Sequence, residues 1–236
     1  VAFCARTESR LNDVAAVLIR DHGEERVMAK AFSVLEPEAV KDFAKAVEDR
    51  FGGCDLLVNN AGGQFPSPVA AINQKGFETV VRTNLVGGFL VAREIYNQHM
   101  SKHGGAIVNM LADMWKGMPG MGHSGAARAG MMNFTMTAAV EWAPSGVRVN
   151  AVAPGWIASS GMDTYDGAVK SMIPMLKNAV PLKRMGTESE VSSAICFLLS
   201  EGAAFMIFDN FKVIESYNTA DAYVIGVGHL GGGCAA

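Results

Sequence analysis

Four clusters of small and polar residues each come directly after a short apolar run. Cys4-Ala5-Arg6 follows the first run, Asn59-Asn60-Ala61-Gly62-Gly63 follows 55–58, Leu111-Ala112-Asp113-Met114-Trp115 follows 106–110, and Pro154-Gly155-Trp156-Ile157 follows 147–153. In an open parallel sheet, ligands bind beyond the carboxyl ends of the strands, where small residues let a ligand approach the backbone. A fifth cluster is a G-x-G-x-x-G, Gly226-Val227-Gly228-His229-Leu230-Gly231, behind the strand-like run 222–225. That is the fingerprint of a loop cradling a dinucleotide pyrophosphate, although no helix follows to lend its N-terminus. Asp113 stands at a strand end, either as an acid/base group or as an ordinary loop aspartate.

Those residues need elements to hold them. Strand-like runs at 1–4, 26–32, 55–58, 106–110 and 147–153 alternate with helical patterns at 8–22, 36–51, 74–102 and 124–143. Thr187-x-x-Glu190 is a capping box opening a helix to Leu199, and 211–214 reads as a last short strand. Such alternation implies a doubly wound parallel sheet in three αβα layers, a Rossmann-like single domain over 1–236. The stretch of about 158–185 lacks clear periodicity and reads as a lid, and 215–236 is an atypical C-terminal segment.

Half of the 236 residues are hydrophobic and 18% are charged, which suits a buried core. The net charge of −3 leaves no basic surplus for a nucleic-acid partner. No apolar run reaches membrane-spanning length, and no signal peptide opens the chain, so a cytoplasmic location is expected. Cys4, Cys54, Cys196 and Cys234 are widely spaced and read as free thiols, with no metal set.

The sequence resembles the short-chain dehydrogenase/reductase family up to about Val213. The resemblance is carried by Asn59-Asn60-Ala61-Gly62, by Asn84 within Thr83-Asn84-Leu85-Val86-Gly87, by the run from Ser124 to Gly130, and by Asn150-Ala151-Val152-Ala153-Pro154-Gly155. Gly62-Gly63-Gln64-Phe65 and the run from His123 to Gly130 are similar to the branch of peroxisomal trans-2-enoyl-CoA reductase and, more distantly, 2,4-dienoyl-CoA reductase. The resemblance implies an NADP(H)-dependent oxidoreductase that reduces an enoyl-CoA-type C=C bond. Its alternatives are a dehydrogenase of a hydrophobic alcohol or aldehyde, and a non-catalytic Rossmann-like binding protein. It implies cofactor contacts from Asn60, Ala61, Gly62, Pro154, Gly155 and Ile157, and homo-oligomers, dimeric or tetrameric, assembled through helices 74–102 and 124–143. Asn84 would hold a kink and a water behind the active site. Relatives that prefer NAD carry an acid at the end of the first recorded strand. Here Ala5 stands there, and Arg6 follows it, able to pair with a 2′-phosphate or simply to stand at the surface.

The departures point to chemistry as well. Where the family has Tyr-x-x-x-Lys, this chain has Ser124-x-x-x-Arg128, and the place of the usual catalytic Ser falls near Leu111 or Ala112. A Ser hydroxyl is too weak an acid to protonate a ketone oxygen near neutral pH, and Arg stays charged. Reducing an enoyl thioester asks only for donors to a growing oxyanion. Ser124 and Arg128 serve there, with Asp113 or a water supplying the α-proton. The competing readings are a helix cap for Ser124 and a ribose contact or a salt bridge for Arg128. His123 reads as a local hydrogen-bonding residue. Met110, Met114, Met118, Met121, Met131, Met132, Met162, Met172 and Met175 gather around the expected pocket and lid, as filler or as a surface for a long acyl or prenyl chain.

The family's first strand, glycine-rich loop and helix do not precede Val1. That strand belongs between 1–4 and 55–58, so a strand from elsewhere is expected there. Residues outside this sequence are one source. Residues 222–233 are another, if the chain is permuted, although residues 215–221 reach at most about 25 Å where about 26 Å is needed. A third reading makes 226–233 a glycine-rich tail.

Overall fold

The computed structural model describes residues 1–159, 167–200 and 224–227. β1 (Ala2–Ala5) pairs in parallel with β2 (Met28–Ala31), and α1 (Glu8–His22) crosses between them. Leu11 and Ala15 of α1 are buried, but Val14 on the same expected face is 51% exposed. α2 (Pro37–Phe51) buries Val40, Ala44 and Val47, as its spacing predicts, and Gly52 ends it in the left-handed region.

β3 (Leu56–Asn59), β4 (Gly105–Met110) and β5 (Val147–Ala153) run parallel in that order. Successive residues of β4 serve opposite layers. Ile107 joins Ala92, Ile95 and Ala138 on one face, while Val108 joins Val152, Val191 and Leu198 on the other. The helices of the first layer are α4 (Gly87–Ile95) and α6 (Gly122–Trp142). α8 (Glu188–Leu199) covers the second layer, opened by the expected capping box of Thr187 and Glu190. Arg148 ties its far end to β5, donating to the carbonyls of Leu198, Leu199 and Ser200.

The expected helix 74–102 is a continuous rod with two π segments. α3 (Gln74–Val81) leads through a π turn at Arg82–Val86 into α4, and a second at Tyr96–Met100 leads into α5 (Ser101–His103). Beyond β5, the two-residue strands β6 (Ile157–Ala158) and β7 (Gly186–Thr187) pair in parallel, and α7 (Gly167–Ala179) falls inside the expected lid.

One expectation for the sheet is overturned. β8 (Val224–Val227) does not enter the centre of the sheet, as permutation would require. It pairs antiparallel with β5, with Gly226 opposite Ala151. The apolar run does form a strand, but the free edge of β5 takes it. β1 and β3 are not hydrogen-bonded to each other, and among the described residues no strand lies between them. Leu56 and Val58, on one face of β3, are 56% and 38% exposed. The expected strand at 211–214, together with Gly228, Gly231, Cys234 and Met162, lies outside the described residues.

Candidate active site

The carboxyl ends of β3, β4 and β5 meet the first turns of α6 around a cavity of about 660 Å³. β3 delivers Gly62, Gly63 and Gln64, β4 delivers Leu111, Ala112 and Asp113, and β5 delivers Pro154, Gly155, Trp156 and Ile157. Arg128 reaches it from α6, and Met118 and Met121 come from the loop before that helix.

Asn84 locks this end of the molecule. It is 2% exposed and sits in the π turn, where the widened helix turns its carboxamide toward the β3 loop. Its Oδ1 accepts from the Gly63 N–H at 2.8 Å, and its Nδ2 donates to the Gly63 carbonyl at 2.9 Å. The same Oδ1 accepts from Arg128 Nη2 at 3.4 Å. Asn84 thus sits in a π turn of an unbroken helical run, and its carboxamide is spent on the loop backbone and the guanidinium.

Arg128 is half-buried. Its Nη1 donates to the Met110 carbonyl, and its Nε has no partner. Burial pulls its pKa down to about 10. Gly62 lies so close that a Cβ there would stand 2.6 Å from Arg128 Nη2 and 2.7 Å from Asn84 Oδ1. An orphaned donor beside a backbone that admits no side chain is a cradle for a polar ligand edge, and it fits the nicotinamide ribose of a dinucleotide. Pro154, Gly155 and Ile157 form the facing wall.

Ser124 is fully buried and does not line the cavity. Its hydroxyl donates to Gln64 Oε1 at 2.6 Å, so Gln64 stands where a longer side chain at 124 would emerge. The Ser124 N–H donates to His123 Nδ1 at 2.8 Å, which fixes the histidine tautomer and agrees with a local role. Asp113 lines the cavity, half-buried, its N–H on the Pro154 carbonyl at 3.1 Å. Burial raises its carboxyl pKa, against opposing pulls from the Trp115 backbone and the Lys116 charge.

Other expected residues lie away from this cluster. Asn60 and Ala61 are exposed in the β3 loop and do not line the cavity, and Arg6 is exposed just past the end of β1. Gly226, expected in a phosphate-binding loop, is instead held in the β8 ladder, where an extended strand offers no turn to wrap a phosphate. Of the expected methionines, Met118 and Met121 line the cavity, Met114 and Met131 are core, and Met175 is 58% exposed. The sequence assigns no chemical role to Gln64, although it lies in the Gly62-Gly63-Gln64-Phe65 run that carries the branch resemblance. Sequence reasoning also passed over the polar ladder under the site. Asn59 Nδ2 donates to Asn109 Oδ1 at 2.9 Å, and Asn109 Nδ2 donates to Thr135 Oγ1 at 2.9 Å.

Residues 1–213 match the family model of enoyl-(acyl carrier protein) reductases. The peroxisomal 2,4-dienoyl-CoA reductase [(3E)-enoyl-CoA-producing] of Danio rerio is 33% identical over 207 residues, covering 86% of this chain and 68% of that one. Among solved structures, the citronellol catabolism dehydrogenase AtuB of Pseudomonas aeruginosa PAO1 is 59% identical, with a TM-score of 0.75 over 87% of this chain and 79% of that one. A short chain oxidoreductase from the same organism, described as containing an atypical catalytic center, is 30% identical, with a TM-score of 0.76 over 85% and 80%.

Proposed function

The chain is a member of the short-chain dehydrogenase/reductase family, a family of nicotinamide-dependent oxidoreductases, and on that premise we propose that it reduces the activated C=C bond of an enoyl-CoA-type substrate with NADPH. One observation carries the reading. The cavity holds a cationic guanidinium with an unpartnered Nε, and among the described residues no tyrosine or lysine lines it. When bound, the cofactor supplies a hydride to the β-carbon of the substrate. The chain's own task is then to hold negative charge on the thioester oxygen and to provide a proton at the α-carbon. Arg128 meets the first need and also reaches the nicotinamide ribose. Asn84 acts through others, fixing Gly63 and the guanidinium. Asp113, its carboxyl pKa raised by burial, stays protonated to a higher pH than an exposed aspartate and lies in the same cavity as a proton source. Leu111, Met118, Trp156 and Ile157 give the cavity an apolar side suited to a hydrocarbon chain. Arg6 selects NADPH by pairing with its 2′-phosphate. The protein is cytoplasmic in this reading; among the described residues no helix is long and apolar enough to cross a membrane.

The test is NADPH and NADH consumption by the full-length protein with crotonyl-CoA and longer enoyl-CoAs, against matched ketones and aldehydes. Faster turnover of the enoyl thioesters with NADPH is expected, and Arg6→Ala should narrow the preference over NADH. Equal or better turnover of the carbonyl compounds would refute the assignment. A second reading, oxidation of a hydrophobic primary alcohol or its aldehyde, is favoured by the 59% identity to a dehydrogenase of citronellol catabolism. A panel of long-chain and prenyl alcohols with NADP+ decides between the two.

A further inference from the structure

We propose that a second cavity, at the first turn of α6, binds a small hydrocarbon body with one neutral carbonyl oxygen, which accepts from the Nε2–H of His123. The cavity holds about 440 Å³ and shares none of its described lining residues with the candidate active site. That is the size of a small-molecule site. His123 is fully buried and yet forms part of its wall. The Ser124 N–H donates to His123 Nδ1 at 2.8 Å. A ring nitrogen that accepts carries no proton, so the imidazole is neutral and its one N–H is at Nε2. Among the described residues that N–H has no hydrogen-bond partner. The Phe65 ring meets the imidazole edge to face at 4.4 Å, but an aromatic ring is at most a weak acceptor. Buried donors left unpaired are rare in folded chains, and a bound acceptor would relieve the cost of this one.

The rest of the wall selects the ligand. Val69, Ile72 and Phe77 make one side apolar, and Val69 and Phe77 are 71% and 42% exposed, apolar surface for a ligand to cover. Gly122 lets Val69 come close, because a Cβ there would stand 3.0 Å from Val69 Cγ2. Phe65 keeps its place on His123 because Gly76 has no side chain; a Cβ there would stand 2.9 Å from Phe65 Cζ. Glu78 also lines the cavity, accepting from Gln74 Nε2 at 2.7 Å, and among the described residues no lysine or arginine lines it. A carboxylate ligand would face a like charge and find a single neutral donor, whereas a ketone or ester oxygen needs no more than that donor. None of these residues enters the enoyl-thioester reading, so the site stands or falls apart from it.

The experiment titrates the full-length protein, without cofactor, with methyl pentyl ketone and with hexanoate, which carries the same pentyl chain on a carboxylate. Binding is read by calorimetry and by imidazole nitrogen NMR. The variants are His123→Leu, which keeps bulk and removes the donor, and Phe77→Asp, which puts a charge into the apolar wall at an exposed position and leaves His123 intact. Thermal unfolding checks that each is folded. Wild type should bind the ketone with a downfield shift of the His123 Nε2–H, and should bind hexanoate about tenfold more weakly or not at all. His123→Leu should weaken the ketone by about tenfold, the worth of one hydrogen bond, and Phe77→Asp by about as much. Ketone binding that neither variant changes would place the ligand in the active-site cavity and overturn the proposal. So would wild type that binds no ketone, or that binds hexanoate as tightly. Ketone binding by a dissociated Val140→Asp chain but not by the wild-type assembly would show that a second copy of the chain fills the cavity, and would overturn it as well.

Discussion

Arg128→Met is expected to make the cofactor-free protein more stable while abolishing turnover. In the folded chain the guanidinium exchanges its hydration for the Met110 carbonyl and a long 3.4 Å bond to Asn84. Its Nε has no partner, and among the described residues no carboxylate pairs with it. Burial lowers its pKa from 12.5 to about 10. At about 1.4 kcal/mol per factor of ten, that places the charged form roughly 3 kcal/mol above its unfolded reference. Methionine keeps the length and adds a thioether beside Met118 and Leu111. Against the gain stands the bond lost to the Met110 carbonyl, about 1 kcal/mol, while Asn84 keeps Gly63. The net stabilisation is then about 1–2 kcal/mol. The sign with pH follows from a base whose folded pKa is depressed. The unfolded chain holds the proton more tightly, so the penalty is complete below about 10 and lifts only as the pH rises from there toward 12.5. Between about pH 6 and pH 9 the stabilisation should therefore be flat. Urea unfolding of both proteins without cofactor reads this as a higher midpoint at unchanged m-value. A lower midpoint for Arg128→Met would show that the guanidinium is held by partners that satisfy it, and the picture of a donor reserved for a ligand would fall.

Two further outcomes follow from particular contacts. Gly53→Ala should destabilise the protein by about 2–4 kcal/mol in the same unfolding experiment, a range that combines a strained backbone with overpacking. Gly53 has φ of +133°, and a Cβ there would stand 2.0 Å from the His99 ring, which Glu48 and Asp55 hold at 3.1 and 3.0 Å; a midpoint within error of wild type would refute this. Val140 and Met136, one turn apart on α6, are 59% and 41% exposed, and Phe89 of α4 is 36% exposed, so a dimer or tetramer through these helices is expected. Sedimentation velocity should show Val140→Asp dissociating that assembly, and a monomeric wild type would sink the idea.

Much of the scaffold was legible because its signals are local. Val40, Ala44 and Val47 recur at helical spacing and are buried, and Thr187 and Glu190 form the capping box that their spacing implies. The π turn at Arg82–Val86 was not legible from periodicity, because the residues around it keep an ordinary helical pattern. Asn84 within that turn bonds Gly63, 21 residues earlier in the chain, a contact that no local pattern marks. The link from Ser124 to Gln64 spans 60 residues and carries no local trace either. The strand character of the run near 224 was readable from composition, but its partner and direction were not. An apolar run satisfies any free sheet edge, and β5 offered one.

The two replacements at positions 124 and 128 make most sense as one change. In the family pattern, the cation beside the tyrosine serves to make a phenol acidic enough to give up its proton. Once the phenol is gone, a lysine there has no such partner, and an arginine offers more: several donors in a fixed fork and a charge that no ordinary pH removes. Ser124 leaves room at the cavity wall, and Gln64 occupies it. Under the proposed reading the site keeps a donor for an oxyanion, in Arg128, and among the described residues it has no tyrosine to protonate one. A reaction that ends with a proton on oxygen needs the lost function. A conjugate reduction ends with a proton on carbon, and that proton can come from Asp113, whose carboxyl lies in the same cavity with its pKa raised by burial. Under the proposed reading, the pattern that departs from the family is therefore the source of the preference for C=C over C=O.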